Sequence, residues 1–139
     1  MAQKNQQDSE LFVPEYERET DLSEYSSIAQ EIIRDRENMG VLADPDLIGK
    51  VRGCCGDSIQ IELRLNGEVI REARFITDGC SATVAVGGMI TRLIINKTLD
   101  QAQEISSQDI IDGLAGLPKG HRHCADLAIK TLQKTLQIG

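Results

Sequence analysis

Tryptophan is absent from this chain of 139 residues, and phenylalanine and tyrosine occur only twice each. Any core must therefore be aliphatic. No apolar run approaches the ~18 residues that a membrane-spanning helix needs. The longest, Val84 to Ile95, is interrupted by Gly87, Gly88, Thr91 and Arg92. The polar N-terminus lacks the apolar stretch of a signal peptide. Clustered basic charge is missing too. Lys and Arg number 15 against 22 Asp and Glu, a net charge of -7, which argues against the phosphate-neutralising surface of a nucleic-acid binder. The acidic balance reads as a solubility charge. These absences predict a cytoplasmic protein with one domain, no membrane contact and no nucleic-acid partner.

No Cys-x-x-Cys pair occurs, so zinc-finger and thioredoxin spacings do not apply. What the chain does have is concentrated in three stretches. All four cysteines and both histidines fall in Gly53-Cys54-Cys55-Gly56-Asp57, Gly79-Cys80-Ser81 and His121-Arg122-His123-Cys124. Thiolates with an imidazole and a carboxylate suit zinc, ferrous iron or an iron–sulfur cluster, and suit magnesium or calcium poorly.

Organisation along the chain supports this concentration. Residues 1–20 are polar and aperiodic, as in a disordered leader, and residues 21–139 make one domain. Asp21 or Ser23 is placed to cap a first helix running to about Arg36, with Ile28, Ile32 and Ile33 as its apolar stripe. Ile48 to Arg52 reads as a short strand. Ile59, Ile61, Leu63 and Leu65 alternate with polar residues, the pattern of a half-buried strand. Asn66-Gly67 predicts a type I′ turn, and Glu68 to Thr77 returns antiparallel. Ser81 to Ile95 is an apolar, buried helix. Ser106 or Ser107 caps a short one. In the last helix Cys124, Leu127, Ala128, Thr131, Leu132 and Leu136 share one face. Strands followed by helices predict an α+β fold, a small three-stranded antiparallel sheet packed on one face by helices.

Neighbouring residues of an extended chain point to opposite faces, so only one of Cys54 and Cys55 faces a shared site. Gly56 lets the turn bring Cys55 and Asp57 to the same side. Cys54 then reads as a small buried hydrophobe, His121 as a solvated loop residue, and Asp57 has the simpler alternative of capping a turn. Cys80 and Cys124 stand at helix starts, where free N–H groups favour thiolates. Three function classes use these residues: a metal or cluster scaffold, a zinc protein with a structural or regulatory ion, and a thiol oxidoreductase built on Cys54 and Cys55. The last is disfavoured by the strained ring that adjacent cysteines form.

The order Cys55-Gly56-Asp57, Gly79-Cys80, Leu117-Pro118 and His123-Cys124 resembles the IscU/NifU type of iron–sulfur cluster assembly scaffold. Asn38-Met39-Gly40 and Ala73-Arg74-Phe75 add to the resemblance, which covers Leu22 to Leu136. It implies a scaffold without turnover of its own, of the SufE/NifU fold type. Such a protein takes sulfur from a pyridoxal-phosphate cysteine desulfurase and iron, holds a transient [2Fe–2S] cluster, and passes it to acceptor proteins. A ferredoxin or an iron donor is a further implied partner, and zinc an occupant of the isolated protein. The implied ligands are Cys55, Cys80 and Cys124, completed by Asp57 or His123, with Cys124 as persulfide acceptor and Cys80 its competitor.

The chain departs from this pattern at Cys54, where a non-thiol is usual, and at Gly87-Gly88, where a serine pair is common. His121 replaces the familiar lysine and is placed to take over as a cation or a spare ligand. Leu117-Pro118-Lys119-Gly120 replaces the Leu-Pro-Pro-Val-Lys segment read in some members by an Hsp70-type chaperone. Tyr25 matches a tyrosine through which some members associate, and a monomer or weak homo-oligomer is expected. The added domains of longer NifU proteins are not expected here.

Overall fold

The structure, a computed structural model, describes residues 21–53 and 56–137. The expected disordered leader, and Cys54 and Cys55, lie outside the described residues.

Helix α1 (Ser27–Asp35) starts later than expected. The Ser26 side chain accepts the Ala29 N–H at 3.0 Å, while Asp21 accepts the Ser23 N–H in a separate turn. That local bond, together with Tyr25 N–H to the Leu22 carbonyl, occupies groups that a longer helix would need. Ile32 and Ile33 are buried as expected, but Ile28 is exposed and Ala29 takes its place on the inner stripe.

Strands β1 (Leu47–Arg52), β2 (Ser58–Asn66) and β3 (Val69–Thr77) form an antiparallel sheet in the order β1-β2-β3. Leu47, Leu63 and Ala73 line up across it, as do Gly49, Ile61 and Phe75. These rows form the face beneath the helices, and Ile59, Ile61 and Leu63 are wholly buried there. On the opposite face Glu62 is only 5% exposed. Its carboxylate accepts the Leu42 N–H at 2.9 Å and a Gln60 side-chain N–H at 2.8 Å. The chain before β1 therefore covers part of that second face.

The hairpin is present but its turn differs. Asn66 pairs with Val69, so the two loop residues are Gly67 and Glu68. Of these only Gly67 has positive φ, at 64°, which is the φ signature of a type II′ turn rather than I′. Glycine at the first loop position makes that choice. The pairing also jumps from Arg64–Glu72 to Leu65–Ile70, leaving Arg71 without an opposite residue.

Helices α2 (Ser81–Ile94), α3 (Leu99–Gln103), α4 (Ser107–Gly113) and α5 (Arg122–Gln137) complete the described chain. Helix α2 packs on β3, α5 packs on β1 and β2, and α1 and α4 pack against α2. A Cβ on Gly87 would sit 2.3 Å from the Phe75 ring, and one on Gly88 would sit 2.2 Å from Ile32. Their hydrogens let α2 lie directly on the sheet and on α1. Helix α3 was not foreseen, although Thr98-Leu99-Asp100-Gln101 carries its signal. Thr98 and Gln101 cap one another reciprocally. Asn38-Met39-Gly40 docks beside β3, with the Phe75 N–H bonding to the Asn38 carbonyl and the Gly40 N–H to the Phe75 carbonyl. Among the described residues no helix is long and apolar enough to cross a membrane.

Candidate metal centre

Hydrogen bonds hold the β1–β2 loop against the start of α2. Asp78 accepts the Ser58 N–H at 2.7 Å, and the Thr77 hydroxyl donates to the Ser58 carbonyl at 2.6 Å. Asp57 is thereby set beside Gly79, where an added Cβ would lie 3.0 Å from its Oδ2. Cys80 is the N-cap of α2, and its carbonyl accepts the Thr83 and Val84 N–H groups. At the other helix start Gly120, with φ of 88°, turns the chain so that His121 precedes the first residue of α5. The His121 carbonyl accepts the Cys124 N–H at 3.0 Å.

Sγ of Cys80, Sγ of Cys124 and a ring nitrogen of His121 lie within 4.8 Å of one another. Thr83 stands between the sulfurs, its Oγ1 3.8 Å from each. Asp57 and His123 lie on the cavity side of Cys124. They line a cavity of about 340 Å³ with Gly53, Thr83, Cys124 and Leu127. His123 Nε2 is 3.7 Å from the Cys124 sulfur. Two helix starts and one loop thus converge on two thiols, two imidazoles and a carboxylate. Cys55, expected to join them, is outside the described residues, but Gly53 and Asp57 on either side of it both line the cavity.

The two histidines exchange the environments expected of them. His123 is exposed, whereas His121 is half-buried, and its Nδ1 is shielded from solvent with no hydrogen-bond partner. The reading of His121 as a solvated loop residue is thereby corrected. The cause is tertiary: the φ of Gly120 folds the ring back toward Cys80, a contact that no local pattern encodes. Thr83 was missed as well, since its only signal is its position one turn after Cys80.

The two thiols are not equivalent. Cys124 is 2% exposed, and the neighbouring Cys80 sulfur, together with burial, pushes its thiol up. Cys80 is pulled down to about 5, first by the hydrogen bond from Cys124 and then by donors at the start of α2 and the Thr83 hydroxyl. Helix-start activation, expected of both, is realised at Cys80. Burial, the Cys80 thiolate and Asp78 together push the Asp57 carboxyl up, against the pull of His123.

A value of about 5 lies well below neutral, so Cys80 is already thiolate at pH 7. Its alkylation rate by iodoacetamide should therefore be flat between about pH 6.5 and 8.5, where an ordinary thiol gains about tenfold per unit. Site-resolved mass spectrometry of the metal-free protein measures this. A steep rise at Cys80 would contradict the assignment.

The NifU-like N terminal domain family matches residues 24–138. This chain belongs to that family. Among the relatives of this NifU-like domain is the iron–sulfur cluster assembly scaffold protein IscU of Aquifex aeolicus. The two are 32% identical over 117 residues, which cover 82% of this chain and 74% of that one. The nitrogen fixation protein NifU of Trichormus azollae is 31% identical over 81% of this chain and 37% of its own length. A solved candidate scaffold protein for the SUF system from Fervidobacterium islandicum superposes with a TM-score of 0.66. It is 18% identical, over 82% of this chain and 97% of that one. The NifU-like N-terminal protein of Brucella abortus gives a TM-score of 0.52 at 19% identity, over 81% and 80% of the two chains. These two structures bear out the three-stranded α+β fold. In the NifU-like domain described here, Asn38-Met39-Gly40 and Ala73-Arg74-Phe75 pack against each other rather than at the thiols.

Proposed function

We propose that this chain is a scaffold on which an iron–sulfur cluster is assembled and from which it is passed to acceptor proteins. The observation that carries this is the convergence of the Cys80 and Cys124 sulfurs with an imidazole nitrogen within 4.8 Å, beside a cavity lined by Asp57 and His123. Membership of the NifU-like family supports the same reading. A soft, mixed donor set of this kind suits iron with sulfide. Cys55, Cys80 and Cys124 supply thiolates to a transient [2Fe–2S] cargo, and Asp57 or His123 supplies the remaining donor. The domain acts as a carrier without turnover of its own.

Sulfur arrives from a cysteine desulfurase as a persulfide. The Cys80 thiolate attacks the terminal sulfur, a new S–S bond forms on Cys80, and the donor thiolate leaves. The Cys80 thiol is pulled down and the Cys124 thiol pushed up, which favours Cys80 over Cys124 as acceptor. Release of each sulfur as sulfide consumes two electrons, which a low-potential donor of the ferredoxin class supplies.

A scaffold must also let go. Four thiolates would hold a cluster tightly, and a carboxylate is a harder, more exchangeable ligand. Asp57 supplies that carboxylate, its carboxyl pushed up by burial and by the Cys80 thiolate. Asp57→Ala is therefore expected to slow cluster transfer to an apo-ferredoxin by about tenfold, ~1.4 kcal/mol of barrier. Stopped-flow absorption measures it, and an unchanged or faster release counts against the role.

The proposal is tested by anaerobic reconstitution with ferrous iron, cysteine and a cysteine desulfurase, followed by visible absorption. A sulfide-to-iron charge-transfer chromophore on the protein is the expected result. Its absence under oxygen-free loading overturns the scaffold reading.

A further inference from the structure

We infer that His121 is a metal ligand, completing with Cys80 and Cys124 a mononuclear site for a borderline divalent ion such as iron(II) or zinc. The inference rests on the scaffold reading only in making this ion the first iron of a cluster. The site itself is read from the geometry.

The nitrogen brought within 4.8 Å of both sulfurs belongs to His121. A tetrahedral ion with metal–sulfur bonds of about 2.3 Å and metal–nitrogen bonds of about 2.0 Å needs donor separations of about 3.5–3.8 Å. The three atoms need draw in by only roughly 1 Å. The environment of His121 is that of a ligand awaiting a partner. It is half-buried, and its Nδ1 is closed to solvent without any hydrogen bond, a cost that a buried polar atom does not normally bear. Its ring stacks on His123, with centroids 6.2 Å apart and planes 26° from parallel, which limits how far it can swing away. On binding, two metal–sulfur bonds and one metal–nitrogen bond form, and the thiol proton of Cys124 leaves to solvent.

Three donors on one ion also set the stage at which His121 acts. Each iron of a [2Fe–2S] cluster has two bridging sulfides and room for two protein ligands, so three are one too many. The neutral imidazole is the donor whose release keeps both thiolates bound. Asp57 and His123 stand on the cavity side of Cys124, where a growing cluster has space. His121 thus serves the loading of a single ion and gives way as sulfide arrives.

Zinc affinity is measured by competition with a chromophoric chelator on the wild type, His121→Ala and His121→Lys. Loss of a direct ligand should weaken binding by at least the ~10–100-fold that outer-shell changes cost. His121→Lys keeps a cation but is expected to fail like alanine; rescue by lysine would show an electrostatic role and overturn the ligand assignment. X-ray absorption of the cobalt(II) complexes should lose the imidazole scattering in both His121 variants and retain it in His123→Ala. The reverse pattern overturns the inference. Thermal melts of the metal-free variants separate ligand loss from misfolding. In the reduced, reconstituted cluster the nitrogen couplings seen by pulsed EPR should not change on His121→Lys, and a change would overturn the restriction to loading. A cluster that forms while His121→Ala binds zinc normally defeats this inference alone. Zinc held through His121 with no cluster on reconstitution defeats the scaffold reading alone.

Discussion

Cys80→Ser and Cys124→Ser each reduce the reconstituted visible chromophore to baseline. Both sulfurs belong to the trio within 4.8 Å, and a serine hydroxyl, protonated at neutral pH, cannot stand in for a thiolate on iron. The loss should reflect coordination rather than folding. Serine is close in size to cysteine, and Thr83 Oγ1 lies 3.8 Å from both sulfurs and can partner a hydroxyl. Cys55→Ser is expected to behave in the same way and Cys54→Ser to keep its cluster, so only one of the four serine variants remains coloured. A strong chromophore on Cys80→Ser would remove the basis of the proposed site. Near-native melting of the colourless variants is the control that makes the result interpretable.

The second large effect lies far from the candidate metal centre. Gly49→Ala is expected to lower stability by about 3 kcal/mol, a fall of roughly 10 °C in Tm. An added Cβ would sit 2.3 Å from Thr135 Oγ1, 2.7 Å from Thr135 N and 2.8 Å from its Cα. Two of those atoms are backbone, so no side-chain rotation relieves the clash. Helix α5 must lift from β1, breaking the 2.9 Å bond from Lys134 Nζ to the Lys50 carbonyl on the way. Because α5 carries Cys124, metal affinity should fall along with stability. Circular dichroism melting measures the first effect and chelator competition the second. A Tm within a degree or two of wild type would show that the contact between α5 and β1 is looser than described.

Much of the fold was legible because its signals are local. The alternation of Ile59, Ile61 and Leu63 reports a strand with one buried face, and the spacing of Cys124, Leu127, Ala128, Thr131, Leu132 and Leu136 reports one face of a helix. All nine are buried as expected, whereas Leu65, the last of the alternating residues, is only half-buried. Misreadings fell where competing local signals sit close together. Asp21 and Ser23 are the expected caps, but the cap is Ser26, whose side chain is the one that meets a free helical N–H in three dimensions. In the hairpin, the bulge opposite Arg64 and Leu65 decides which residues occupy the loop, and Asn66 is moved into the strand.

The order of the chemistry along the chain belongs to the sequence alone: thiols and a carboxylate before β2, a thiol opening α2, and two imidazoles and a thiol opening α5. Which of these groups touch is settled by packing. Glycines at 49 and 87 let α5 and α2 lie close on the sheet, Gly88 lets α2 lie close on α1, and the backbone turn at Gly120 aims His121 rather than His123 toward both sulfurs. The opposite shifts of the two thiols follow from the same contact, since the sulfurs act on one another only after distant helix starts are brought together. Residue types and spacing set which donors are available. Distances below 5 Å between residues some forty apart in sequence are properties of a packed core, and only the packed core decides them.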